Sequence, residues 1–190
     1  AVDLETCDPG LILKGPGWAT NTGEVVGVAV ATEGWSGYLP FKHQGGGNLE
    51  KDFVVNWLKK QMATSSDKIF HNAMYDVGWL KRLGVEVTGT IQDTMIAAPL
   101  VNENRNRYSL DSLGSEYCGE RKDESLLREA AHSFGVDPKA EMWKLPANYV
   151  GPYAEQDAVL TLKLWQVLKG FMEKEEVNQI DGLEKDLLPL

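Results

Sequence analysis

The sequence predicts a mixed α/β fold, a five-stranded sheet with helices on its faces. Short β-branched runs crowd the first 41 residues, two later apolar runs each lead into residues at helical spacing, and the second half reads as helix. Length and composition agree. A chain of 190 residues, 43% hydrophobic and 25% charged, is in the range of one globular domain with a sizeable core.

Val2-Asp3-Leu4-Glu5-Thr6 opens the sheet: a period of two sends Asp3 and Glu5 to one face and Val2 and Leu4 to the other. Only Ala1 and Val2 precede Asp3, so this strand reads as cut short, as in a piece of a longer polypeptide. A long Gly- and Pro-rich loop, Cys7 to Gly23, comes next. Its Leu11, Ile12 and Trp18 either meet terminal bases or pack within the loop. Residues 24–32 and 37–41 are short strands separated by a Glu33-Gly34 turn, giving an antiparallel meander with the first. Gly45-Gly46-Gly47 lacks the Lys-Ser/Thr of a phosphate loop and reads as a flexible turn, after which Asn48 caps a helix carrying Phe53, Val54, Trp57, Leu58 and Met62.

The run 68–71 is a strand feeding a helix from Asn72 to a stop at Gly84. Thr90 to Gln92 is another strand, and Asp93 caps the helix behind it; strands separated by helices imply parallel crossovers. Helices then run from Ser109 to Cys118, from Asp123 as cap to Phe134 with Gly135 as stop, and from Pro152, a favoured first helical residue, to about Gly170. The expected domain is 1–176, with 177–190 a linker into a following region.

Several functions are excluded. No apolar run approaches the roughly 18 residues that span a bilayer, and there is no basic-then-apolar leader, so a cytoplasmic monomer is expected. Cys7 and Cys118 are too few and too far apart for a disulfide framework or a zinc site, and His43, His71 and His132 have no partner ligand at metal spacing. A net charge of −9 argues against gripping long nucleic acid by overall field, though not against a site that holds a strand end through metal ions. Arg105 and Arg107 either contact phosphates or are solvated.

Asp3 and Glu5 side by side repel, and a hard divalent cation bound through oxygen relieves that repulsion. A solvated strand edge is the bland alternative. Asp76 lies four residues beyond Asn72 at a strand-to-helix junction, and Asp157 four beyond Tyr153 on the last helix, flanked by small alanines that allow close approach. Each taken alone is an ordinary helix-surface acid. Asn72 either holds substrate or satisfies the start of its helix.

Taken together and in order, Asp-x-Glu, Asn-x-x-x-Asp and Tyr-x-x-x-Asp resemble the three motifs of the 3′–5′ exonucleases of the ribonuclease-H-like fold, named for four acids and a tyrosine. His71-Asn72-Ala73-Met74-Tyr75-Asp76, Asp93-Thr94-Met95-Ile96-Ala97-Ala98, Ser109-Leu110-Asp111-Ser112-Leu113 and Tyr153-Ala154-Glu155-Gln156-Asp157-Ala158 are similar to the proofreading domain of family A, polymerase-I-like DNA polymerases. The resemblance covers nearly the whole chain. A sister subclass has His five residues before the last Asp; Pro152 stands there, so Tyr153 places the chain in the tyrosine subclass.

This resemblance implies a set of roles and a reaction. Asp3, Glu5, Asp76 and Asp157 would hold two divalent ions, Mg²⁺ with Mn²⁺ as substitute, with Asp3 bridging; Tyr153 would help orient the attacking water; Thr6 and Asn72 would bind substrate. The reaction would be hydrolysis of the terminal phosphodiester of a single-stranded DNA 3′ end, releasing a nucleoside 5′-monophosphate. It would proofread for a polymerase domain in cis. A ribonuclease-D-like exoribonuclease and a catalytically inactive polymerase module are the alternatives, the latter disfavoured because all four acids are present.

Overall fold

Alternation at the start of the chain is realised as β1 (Val2–Cys7), which pairs antiparallel with β2 (Glu24–Thr32), which pairs antiparallel with β3 (Trp35–Pro40). In the computed structural model residues 1–174, with Gly182 and Glu184, are described. The expected boundary near residue 176 and most of the 177–190 segment lie outside the described residues. Helix α3 (Lys51–Met62) leads to β4 (Lys68–Phe70), and α4 (Ala73–Arg82) crosses over to the parallel strand β5 (Ile91–Asp93). All five expected strands are present, and hydrogen bonds divide them into a three-stranded and a two-stranded ladder. On the edge of β1 away from β2, the Leu4 amide is given to the Asp76 carboxylate at 3.2 Å rather than to a strand carbonyl.

The central three-stranded sheet has two unlike faces. Val2, Leu4, Val28 and Val30 point into an apolar core with Val54 and Leu58 of α3 and Trp79 and Leu80 of α4. On the opposite face of β2, Ala29 and Ala31 pack against Ala154 and Ala158 of the long helix α8 (Ala147–Lys174). Farther along, α8 buries Leu164, Leu168 and Met172 against Ala97 and Ala98 of α5 (Thr94–Val101) and Leu113 of α6 (Leu110–Leu113). Among the described residues no helix is long and apolar enough to cross a membrane.

Several local expectations are corrected by tertiary contacts. The Cys7–Gly23 loop contains two single-turn helices, α1 (Leu11–Lys14) and α2 (Gly17–Thr20), the second started by the Asp8 carboxylate accepting the Gly17 amide at 2.9 Å. Asn48 does not cap α3. It brackets His43 instead, accepting from its amide at 2.7 Å and donating to its carbonyl at 2.8 Å, and Glu50 caps the helix through the Phe53 amide. The segment expected as one helix from Ser109 is α6 followed by a π-helical turn, Gly114–Cys118. Asp123 holds the Ser125 amide at 2.9 Å, but α7 (Ser125–Phe134) begins after Glu124. Finally, α8 starts before Pro152, because the Ala147 amide finds the Gly46 carbonyl at 3.0 Å. Gly45 allows that approach, since a Cβ there would lie 2.3 Å from the Pro146 nitrogen.

Asp93 does more than cap α5. Its carboxylate accepts from the Met95 amide at 2.8 Å and also from the amides of Asn72 and Ala73 at 3.0 and 2.7 Å, so one side chain fixes the starts of α4 and α5. Asp93→Ala leaves those three donors without their acceptor and is expected to destabilise the chain by about 3 kcal/mol in chemical denaturation. A loss below about 0.5 kcal/mol, within the range of an ordinary surface change, would contradict this role.

Candidate active site

Register explains how distant acids meet. Asp3 pairs with Ala29 and Glu5 with Gly27, so both carboxylates share the small-residue face of the sheet that α8 covers. Alanines 154 and 158 bring the α8 backbone close, and Tyr153 and Asp157, one helical turn apart, come down beside the two strand acids. Asp76 arrives from the other side in the first turn of α4, anchored by the Leu4 amide. Glu155 and Gln156, between Tyr153 and Asp157, steady the helix: Glu155 accepts from the Tyr38 amide at 3.2 Å and the Ser36 hydroxyl at 3.3 Å, and Gln156 accepts from the Asp123 amide at 2.9 Å.

The four carboxylates sense one another. Burial, and then Asp157, push the Asp3 carboxyl up to about 7. Glu5 is held well above the usual carboxylate range by burial and then by Asp3 and Asp157, and Asp76 likewise by burial and then by Asp3. Burial also raises Asp157, opposed by Lys122 and by the Tyr153 hydroxyl. Buried acids in mutual repulsion require a cation or protons.

One cation is already present, and it comes from a residue that the motifs do not include. The Lys122 ammonium, in the segment before α7, donates to Asp157 Oδ2 at 2.7 Å and stands 5.2 Å from the centre of the Tyr153 ring. With that lysine on Asp157, the acids form a neighbourhood rather than a finished coordination sphere: among the described residues no three Asp, Glu, His or Cys side chains are arranged to hold one ion. The donor set nevertheless fits a hard divalent cation. It is all carboxylate oxygen, and Asp157 Oδ1 is buried with no hydrogen-bond partner.

Beside the acids, Leu11, Pro16, Trp18, Asn72, Met74 and Tyr75 line a mostly apolar cavity of about 580 Å³. Asn72 is left-handed at φ +77°, and its side chain makes no capping bond. The helix start is satisfied by Asp93, so the Asn72 side chain is not needed as a cap, and Asn72 lines the cavity. Ladder register shifts between Glu5 and Thr6, and the Thr6 hydroxyl lies 2.9 Å from that of Tyr75, which donates onward to Asp8 at 3.0 Å. The histidines remain structural where contacts define them: His43 sits between Tyr38 Oη at 2.6 Å and the Leu145 carbonyl at 3.0 Å, and His71 meets the Thr94 hydroxyl at 2.8 Å. Arg105 pairs with Glu116 and lies over the Tyr117 ring, away from the acids.

Lys122, Tyr75 and Tyr38 escaped the sequence reading as site residues. Lys122 falls in Glu120-Arg121-Lys122-Asp123-Glu124, a mixed charge run typical of a solvated turn. For Tyr38 the available signal was Gly27, where a Cβ would lie 2.1 Å from the Tyr38 hydroxyl oxygen.

Known proteins share this arrangement of strands and helices. A family model described as 3′–5′ exonuclease matches residues 19–173. The DNA-directed DNA polymerase of Pseudomonas phage M6 is 37% identical across 100% of this chain and 29% of its own length, and DNA polymerase I of Pseudomonas aeruginosa is 28% identical across 88% of this chain and 19% of its own. The chain thus spans less than a third of either polymerase. Among solved structures, Brucella melitensis NrnC with bound Mg²⁺ superposes with a TM-score of 0.66 at 19% identity, covering 99% of this chain and 80% of that one. A chain solved as the apo form of a nuclease gives 0.69 at 17%, covering 99% and 79%. Identities this low speak to the fold, which is ribonuclease-H-like. The matched family model and the polymerase relatives identify the lineage: the chain belongs to the 3′–5′ exonuclease family found in family A DNA polymerases.

Proposed function

We propose that the chain is a divalent-metal-dependent exonuclease that removes nucleotides from single-stranded DNA 3′ ends and proofreads for a polymerase domain in the same polypeptide. The observation that carries this reading is the convergence of Asp3, Glu5, Asp76 and Asp157 with Tyr153 in one buried cluster, next in sequence to the Met74 and Tyr75 walls of an apolar cavity.

Asp3, Glu5, Asp76 and Asp157 would hold two ions, Mg²⁺ or Mn²⁺. Bound there, the ions supply an acidified water and charge stabilisation at the leaving 3′ oxygen. Tyr153 is protonated at neutral pH, because burial and then Asp157 raise its hydroxyl far above the ordinary phenol range. It therefore orients a water by hydrogen bonding and does not act as a base. The walls formed by Leu11, Trp18, Met74 and Tyr75 suit the faces of terminal bases, with Asn72 at their edge and Thr6 reached through Tyr75. Of the three loop residues raised by the sequence, Trp18 packs against the core and lines the cavity, Leu11 lines the cavity while partly exposed, and Ile12 is exposed. Hydrolysis would leave a 3′ hydroxyl on the shortened strand and release a nucleoside 5′-monophosphate.

A 5′-labelled single-stranded DNA oligonucleotide incubated with Mg²⁺ should give a ladder shortening from the 3′ end, abolished by chelator. Asp157→Ala or Asp3→Ala should reduce the rate by about 10³-fold or more, and Tyr153→Phe by about 10- to 100-fold. Full activity in Asp157→Ala, or cleavage in chelator, would overturn the mechanism. An RNA oligonucleotide of the same sequence should be cut more slowly; the reverse preference would favour the exoribonuclease reading.

The raised Asp3 carboxyl has a pH consequence in the metal-free chain. Its folded value near 7 exceeds the ordinary 3.8, so the stability gained from protonation is fully present below the ordinary value and is lost as pH rises through 7. Asn at position 3 does not ionise. In chelator the stability of Asp3→Asn relative to the parent chain should therefore increase as pH rises from about 5 to about 8. His71, kept neutral by burial with its value lowered to about 4, has the opposite slope and cancels in that difference. A difference that is constant with pH would contradict the buried, repelling placement of Asp3.

A further inference from the structure

We propose that Lys122 is the resident counter-ion of the carboxylate pocket, and that a divalent ion reaches Asp157 only by displacing its ammonium. This rests on the reading of the acids as metal ligands and adds a competitor to it. Lys122 and Asp157 form a closed pair, with side chains only 10% and 8% exposed and Nζ 2.7 Å from Oδ2. The ammonium lies between that carboxylate and the Tyr153 ring. A divalent ion coordinated by the same carboxylate would stand within a few ångströms of it. Two cations that close together repel strongly in a partly desolvated site, so both cannot be held there at full strength. Nor is the influence of Lys122 confined to Asp157: it favours the ionised forms of Asp3 and Glu5 as well.

The fold lets the side chain leave without moving its backbone. Gln156, next to Asp157, grips both sides of Lys122, accepting from the Asp123 amide at 2.9 Å and donating to the Arg121 carbonyl at 3.3 Å. Lys122 also lines a groove of about 550 Å³ that includes Ser109, Asp111, Arg121 and Glu124. Rotation about its four-carbon stem therefore carries the ammonium from Asp157 into that groove toward Asp111, whose Oδ1 accepts from the Lys122 amide at 3.5 Å, while Glu124 there is held by Arg128 and Lys139. Such an arrangement offsets part of the carboxylate charge and sets a threshold for metal loading.

The test is Mn²⁺ binding to the metal-free 190-residue chain by calorimetry, without DNA and without turnover. Lys122→Met, which keeps the stem and removes the charge, should bind Mn²⁺ about tenfold more tightly, and Lys122→Arg should not. Unchanged or weaker binding by Lys122→Met would overturn the proposal and make the lysine a support for Asp157. In case Lys122→Met does not fold, the parent chain offers a second measurement: the side-chain ¹³Cε resonance of Lys122 should move to the position of an exposed lysine as Mg²⁺ saturates. A resonance that stays put at saturating Mg²⁺ would overturn the proposal equally. Mn²⁺ binding that survives Asp157→Ala undiminished would instead overturn the assignment of the acids, and the displacement of Lys122 with it.

Discussion

Like charges brought together out of water are the constraint on which the structure depends. Glu5, Asp76 and Asp157 are almost wholly buried, and Asp3 stands among them. No arrangement of four carboxylates in so small a space is favourable by itself; it persists because the surrounding fold over-determines it and because positive charge is available. The observed positive charge is one lysine, which leaves a deficit. That deficit is what the proposed divalent cations would fill.

The surrounding fold enforces the convergence by two different means. On the α8 side the means is absence of side chain: Ala29 and Ala31 of β2 face Ala154 and Ala158, Gly27 leaves room for the Tyr38 hydroxyl, and the helix settles near enough for Tyr153 and Asp157 to reach β1. On the α4 side the means is hydrogen bonding: the Leu4 amide reaches over to Asp76, and Asp93 pins the two residues with which α4 begins. Apolar packing of Val2, Leu4, Val28 and Val30 on the reverse face then holds the platform rigid. Asn72, in a left-handed backbone conformation, marks where the chain bends sharply to bring α4 into place.

The legible part of this site was the part written in local periodicity. A period of two put Asp3 and Glu5 on one face, a spacing of four paired Tyr153 with Asp157, the flanking alanines allowed a close approach to an unspecified neighbour, and the resemblance of the ordered motifs joined them into one site. Those signals live within a few residues of one another, so a single sequence displays them. Strand order and the parallel β4–β5 pair came from helices intervening between apolar runs. Local pattern does not carry the partner of a side chain across the fold. Lys122 meets Asp157 from 35 positions away, Thr6 meets Tyr75 from 69, and the Ala147 amide meets the Gly46 carbonyl, which moved the start of α8 ahead of the proline expected to begin it. Asn48 misled for the related reason that a good capping residue also binds backbone elsewhere, here around His43.

Crystals of the chain soaked in Mn²⁺ and measured at the manganese absorption edge would show directly whether the pocket takes up metal, without reference to turnover. Anomalous peaks are expected among Asp3, Glu5, Asp76 and Asp157, two of them about 4 Å apart when the site is full. A pocket that stays free of anomalous signal at millimolar Mn²⁺, or manganese bound only elsewhere on the surface, would contradict the role given to the four acids.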